Sequence, residues 1–295
     1  FMEVVLVIFL LLIVFITILQ EKYDDQNNNH GPIKEVRRFC RDSIKYRNYM
    51  IYAARTDLKA EVANSYLNRL WWLLEPFFSM LVYVIVFGGI MGSSIRNYST
   101  YVFSALLMWN FFSKTVNYSV KLVRNNKDIV TKVYVPKFVL LISNMILNLF
   151  KLCFSLVVLV VMFFVFKIQV ELEILMIIPA YIVLILFSFG LGMIFLHYGV
   201  YVDDLSYAVG ILLSMLMFLS GVFYDVMSTL PEPLNTMVLC TNPIALTVDT
   251  MRNALLYGEI TNILLIVIWF LISFILCCIG VHIVYKNENA YVKVV

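Results

Sequence analysis

The residues in this chain that could do chemistry are few and widely spaced. Cys40, Cys153, Cys240, Cys277 and Cys278 form no CxxC pair, and Cys153, Cys277 and Cys278 sit in apolar runs, where cysteine serves as a small hydrophobe. His30, His197 and His282 are too scattered to read as a metal site. The sequence has no GxxxxGK[ST] loop to cradle nucleotide phosphates, and no GxSxG or HExxH pattern. Two lysines stand out because each lies within an apolar run. Lys151 sits roughly 20 Å along its run at 1.5 Å per residue. A charge near the bilayer centre costs on the order of 3 kcal/mol on insertion scales, so it should face protein or a wet cavity, near Asn144 or Asn148. It could serve there as a structural partner or as lining. Lys114 lies roughly 10 Å from the inner end of its run, within snorkelling reach.

The elements that must position these residues are membrane helices. The chain has 295 residues, 62% hydrophobic and only 14% charged, whereas soluble domains are nearer half apolar and a quarter charged. Several uninterrupted apolar stretches are long enough to span a bilayer, and they lack the alternation of a membrane barrel. A net charge of +3 gives no case for a nucleic-acid partner. The basic residues bunch beside apolar runs instead, as expected for cytosolic loops.

Residues 1–20 are expected to be an apolar anchor helix, since no basic n-region or small-residue cleavage site marks them as a removable signal. Residues 21–32 are polar and read as a linker. Residues 33–70 read as amphipathic helices at the cytosolic face, with Val36, Cys40, Ile44 and Ile51 or Tyr52 on one stripe and Leu58, Val62, Tyr66 and Leu70 on another. From Trp71 and Trp72, placed where indoles favour the headgroup layer, residues 71–285 are expected to cross six times. Residues 121–137 carry five basic residues and one acid, so that loop is cytosolic. Residues 225–260 are too polar to span and too apolar for a plain loop. Pro231, Pro233 and Pro243 cut them into short helices, which fits a re-entrant hairpin at the outer face. Residues 286–295 form a cytosolic tail.

Two stretches resemble a known family. The first is Arg55, Asp57, Leu58, Lys59, Ser65, Leu67, Leu70, Trp71 or Trp72, Pro76, Val82, Tyr83, Val86 and Phe87. The second is Ser220, Val222, Phe223, Tyr224, Leu230, Pro231, Asn242, Pro243, Arg252 and Gly258. Both resemble polysaccharide-exporting ABC permeases of the ABC-2 type, which export O-antigen, capsule and teichoic acid. Glu61 stands where Arg is common, Asn68 where Gly is common, Gly221 where Pro is common, and Asp203 where Arg is usual.

The resemblance implies an all-α integral membrane protein, a six-span ABC-2 domain of the type V exporter class, here with an additional N-terminal membrane helix. It implies a transport subunit without its own ATP site. It would work as a homodimer with two copies of an ABC ATPase that uses ATP and Mg²⁺, in the plasma (inner) membrane of a bacterium, and this chain would hold no cofactor. The cargo implied is a glycan on undecaprenyl pyrophosphate. Residues 121–137 resemble the family's coupling helix, with Asn125, Lys127, Asp128, Ile129, Lys132, Tyr134 and Pro136 as contacts, and Asp204 in a second inner turn. Arg37, Arg38, Arg41, Arg55 and Lys59 would attract the pyrophosphate at the entrance, and Tyr224, Pro231, Asn242, Pro243 and Arg252 would form the outer gate.

Sugars present C–H faces that stack on aromatic rings, and a sliding polymer needs weak, repeated contacts. Phe77, Phe78, Tyr83, Trp109, Phe111, Phe112 and Tyr118 are therefore candidates for the path, and the plainer reading of each ring is packing against helices or lipid. An exporter of a small lipid or drug, and an assembly subunit without transport, remain as alternatives.

Overall fold

The computed structural model describes residues 32–63, 65–92, 95–168 and 171–294. The expected anchor at 1–20, and the linker up to residue 31, lie outside them. Among the described residues the protein is helical throughout, and four helical stretches are long and apolar enough to cross a membrane: Asn68–Ile90, Lys137–Phe166, Leu172–Tyr201 and Ile263–Lys286. This is a multi-pass membrane protein.

Two short amphipathic helices come first, α1 (Pro32–Lys45) and α2 (Arg47–Val62). The spanning helix α3 (Trp71–Tyr83) follows and continues through a π-helical turn at Val84–Ile90. Helix α4 (Tyr98–Asn125) is 28 residues, about 42 Å at 1.5 Å per residue. The six-residue α5 (Lys127–Lys132) leads into α6 (Lys137–Phe166), then α7 (Ile177–Tyr201) and the shorter α8 (Leu205–Leu219). The segment after α8 breaks into α9 (Val226–Thr229), α10 (Leu234–Thr241) and α11 (Pro243–Arg252). The chain then crosses in α12 (Ile263–Lys286) and ends in α13 (Glu288–Val294).

The centre of the fold is α7, packed between α4 and α12. Small residues allow this closeness, because helices in lipid associate through packing and not through water exclusion. A Cβ on Gly190 would come within 2.9 Å of the Cys277 backbone nitrogen, and one on Gly199 would overlap the Val120 carbonyl. The outer faces of α6 and α12 instead expose large apolar side chains such as Val161, Phe164, Leu264 and Leu271, as lipid-facing helices do.

One expectation needs correction. The stripe Leu58, Val62, Tyr66, Leu70 does not exist as one helix. Helix α2 ends at Val62, Tyr66 is fully exposed, and Asn68 takes a left-handed turn with φ of 50°. The buried four-residue period runs the other way, through Met50, Ala54, Leu58 and Val62. The C-terminal segment packs against the bundle. In α13, Tyr291 is fully enclosed, and its hydroxyl meets Nδ1 of His197 at 2.9 Å.

Candidate functional site

At one end of the bundle, taken as the inner one from its basic charge, α5 lies between two long helices. It is joined to α4 by Asn126 alone and to α6 through Val133–Pro136. Asn125 and the side chains of Lys127, Asp128 and Lys132 are exposed, Ile129 is half-buried, and Pro136 is buried at the start of α6. Asp128 and Lys132 face each other at 3.7 Å. The second inner turn lies alongside: Arg124 pairs with Asp203 and donates to the Val200 carbonyl at 3.3 Å. Asp204 is exposed, and its carbonyl caps α8 by accepting from Tyr207 and Ala208. The unusual acid at 203 is thus a partner for Arg124, an assignment that sequence reading missed.

Tyr134 ties this segment to both ends of the described chain. Its hydroxyl accepts from Arg38 Nη2 at 2.7 Å and donates to Glu288 Oε2 at 3.0 Å. Arg38 also pairs with Asp42 at 3.5 Å and lies 4.4 Å over the Tyr285 ring, while Tyr285 donates to Asp42 at 3.0 Å. Burial pushes the Glu288 carboxyl above the ordinary range, although Tyr134, Lys137 and Arg38 all favour its ionised form. Arg38 is therefore committed to a structural node. Arg41, Arg55 and Lys59 remain exposed on α1 and α2, and the side chain of Arg37 lies outside the described residues.

A groove opens between α2, α3, α4 and α6, with a volume of about 690 Å³. Two ion pairs cross it, Lys114 to Glu75 at 2.8 Å and Lys151 to Glu61 at 2.6 Å. Lys151 does meet the polar neighbourhood expected of it, with Asn144 and Asn148 beside it in the groove lining. Lys114 finds an acid across the groove instead of simply reaching for the inner surface. One local contact ties α3 to α6 in the lining. Pro76 has no N–H to give the Trp72 carbonyl, and Ser155 of α6 donates to that carbonyl at 3.5 Å.

The candidate path rings do not form one surface. Trp109, Phe111 and Phe112 are buried within this chain, Phe112 stacked on Phe187 at 5.8 Å. Phe111 nonetheless touches a crevice that continues from the groove. Phe78 is exposed, Phe77 is half-buried against it, and Tyr83 packs on Phe223 at 4.6 Å. Tyr118 lines the groove and accepts a hydrogen bond from Asn126.

At the outer end, Arg252 is enclosed. Its guanidinium donates to the carbonyls of Gly221 and Val222, both at 2.6 Å, and of Tyr101 at 3.2 Å, and lies 3.5 Å over the Tyr101 ring. Asn242 caps α11 by accepting from Ile244 and Ala245, and donates to Ser220 at 2.9 Å. Pro243 holds the first helical position, where its missing N–H costs nothing. Tyr224 packs in a small cluster with Val226 and Val238, and the Pro231 carbonyl accepts from Leu234. Among the described residues no group of acids, histidines and cysteines could hold a metal.

Comparison with known proteins adds context to this geometry. A family model described as ABC-2 type transporter matches residues 51–256. An O-antigen export system permease protein RfbA from Myxococcus xanthus is 29% identical over 206 residues, 70% of this chain and 79% of that protein. A protein of the same description from Klebsiella pneumoniae is 23% identical over 246 residues, 83% of this chain and 94% of that one.

Proposed function

The chain belongs to the ABC-2 type transporter family, and on that premise we propose that it is the permease subunit of a bacterial polysaccharide exporter. The cargo is a glycan on undecaprenyl pyrophosphate, carried outward across the inner membrane. The observation that carries this reading is the likeness to O-antigen export permeases over most of both chains.

In this reading the four membrane-length stretches are joined by α4 and α8 to make six crossings. The charge distribution supports that topology. Arg124, Lys127, Lys132 and Lys286 gather at one end, the cytosolic one, while the other end carries only Arg96 and Lys167, besides the enclosed Arg252, among Glu171, Glu173, Glu232 and Glu259. Two copies wall the conduit, and each engages a separate ATPase that uses ATP and Mg²⁺. Closure of that partner pushes α5. Since α5 is held between α4 and α6 by short joints, the displacement passes into two walls of the charged groove. The Pro231–Arg252 hairpin opens the outer end by moving about Arg252, whose contacts to the Tyr101, Gly221 and Val222 carbonyls stay made. Arg41, Arg55 and Lys59 attract the pyrophosphate; Arg38 is better regarded as part of the Tyr134 node.

Deleting the gene should abolish long surface glycan on immunoblots, and the purified membrane complex should contain an ATPase. Normal glycan with loss of resistance to a small compound would favour the small-cargo exporter. A permease purified without any ATPase would support the assembly-subunit alternative.

A further inference from the structure

We propose that the groove between α2, α3, α4 and α6 binds the uncharged sugar portion of the cargo, not its pyrophosphate; this rests on the polysaccharide reading above. Three observations lead there. First, the charges are open. The side chains of Glu75 and Lys114 are 57% and 42% exposed and Glu61 is 43% exposed, although they stand beside membrane-length helices. Open charge at such a place faces water or a polar ligand and not lipid, so the groove is wet and can admit a polar cargo.

Second, the charges cancel. Each lysine already holds a carboxylate, so the lining of two acids and two bases has no net charge to draw a polyanion. A pyrophosphate site would leave cations free, as charge-assisted recognition of phosphate requires. A sugar asks for something else: carboxylates and amides to accept from and donate to its hydroxyls. Glu75 and Asn117 are both exposed in the lining, with Asn144 half-buried beside them.

Third, a ring is placed for stacking. Trp71 lies at the rim, 44% exposed, and an indole face suits the C–H face of a hexose. The groove also has a direction. It starts beside Glu61 and Ser65 at the junction of α2 and α3, and continues as a crevice past Asn110 and Phe111, deeper along α4. A chain of sugars lying in it would run along the helices.

The test uses the full-length permease with its ATPase in lipid nanodiscs. Maltotetraose, mannotetraose, galactotetraose and inorganic pyrophosphate are each offered, and binding is read by saturation-transfer NMR for the sugars and by competition for pyrophosphate. At least one tetrasaccharide should give transfer. That signal should fall at least 5-fold in the exchange variant Glu75→Lys with Lys114→Glu, which keeps an ion pair while reversing its polarity. Trp71→Ala, at an exposed position, should lower it similarly and guards against misfolding of the exchange. No transfer from any tetrasaccharide, transfer unchanged in both variants, or displacement of sugar by pyrophosphate would overturn the proposal. So would loss of the dimer in the exchange variant with sugar transfer retained, which would make the groove a contact between copies. Surface glycan that survives deletion of the gene counts against the exporter reading instead, and the nanodisc measurement is unaffected by it.

Discussion

The two ends of the molecule hold their cations in opposite ways. At the outer end Arg252 is enclosed and spends its donors on three backbone carbonyls from two other segments. At the inner end Arg38 is part-exposed and shares Tyr134 with a carboxylate on the last helix. A buried guanidinium cannot leave its carbonyls without stranding charge and acceptors together, so the outer contact is rigid. At the inner node Arg38 is part-exposed and can trade partners for water at smaller cost, although Glu288 beside it is buried. The contrast teaches that the two ends are held by different means, a buried cation on backbone carbonyls at one and side-chain partners at the other.

The strongest way to break this comparison is Arg252→Met. It strands the buried carbonyls of Gly221, Val222 and Tyr101 and should destabilise by about 1–3 kcal/mol for each one left unsatisfied, seen as a large drop in the melting temperature of the detergent-purified protein. A small drop would mean that the outer end is not the fastened one. Next, Gly199→Ala should cost about 1–3 kcal/mol or more, because the new methyl meets the Val120 backbone and not a yielding side chain. That would locate the fixed part of the inner half at the α4–α7 crossing.

Smaller effects are expected at the node. Tyr134→Phe removes two hydrogen bonds near the surface and should cost about 1 kcal/mol, while changing ATPase stimulation in the complex. A loss as large as that of Arg252→Met would erase the distinction between the ends. The pH response of Glu288 sharpens it further. Its carboxyl is raised on folding, so the folded protein binds the proton more tightly than the unfolded chain. Stability should therefore fall as pH rises from the ordinary carboxylate value through the raised one, and Glu288→Gln should flatten that part of a melting-versus-pH curve. Smallest in stability is the charge reversal Lys127→Glu with Lys132→Glu, within about 0.5 kcal/mol for exposed side chains. Its effect should appear only as lost ATPase stimulation or loss of the partner. Normal coupling would remove α5 from the mechanism.

Sequence alone was enough for whatever depends on runs of neighbours. Membrane-length helices follow from apolar runs because lipid rewards local composition. The breaks at Pro231, Pro233 and Pro243 follow from what proline does to a backbone, and Asn242 before Pro243 already carries the signature of a helix start. The amphipathic stretch before Trp71 was legible as helical, but its end was not, since no strong stop signal precedes Asn68. Nor could ring content alone separate Trp71, which is exposed, from Trp109, which is buried.

Only the tertiary structure could pair the charges. Glu61 and Lys151 are 90 residues apart, and Arg38 and Glu288 are 250 apart. A lone lysine in an apolar run announces that it needs a partner, but the partner depends on which helix faces it and at what height. Those are properties of packing, set by small contacts such as Gly190 against Cys277. Charge requirements are written locally, and their solutions are found between helices.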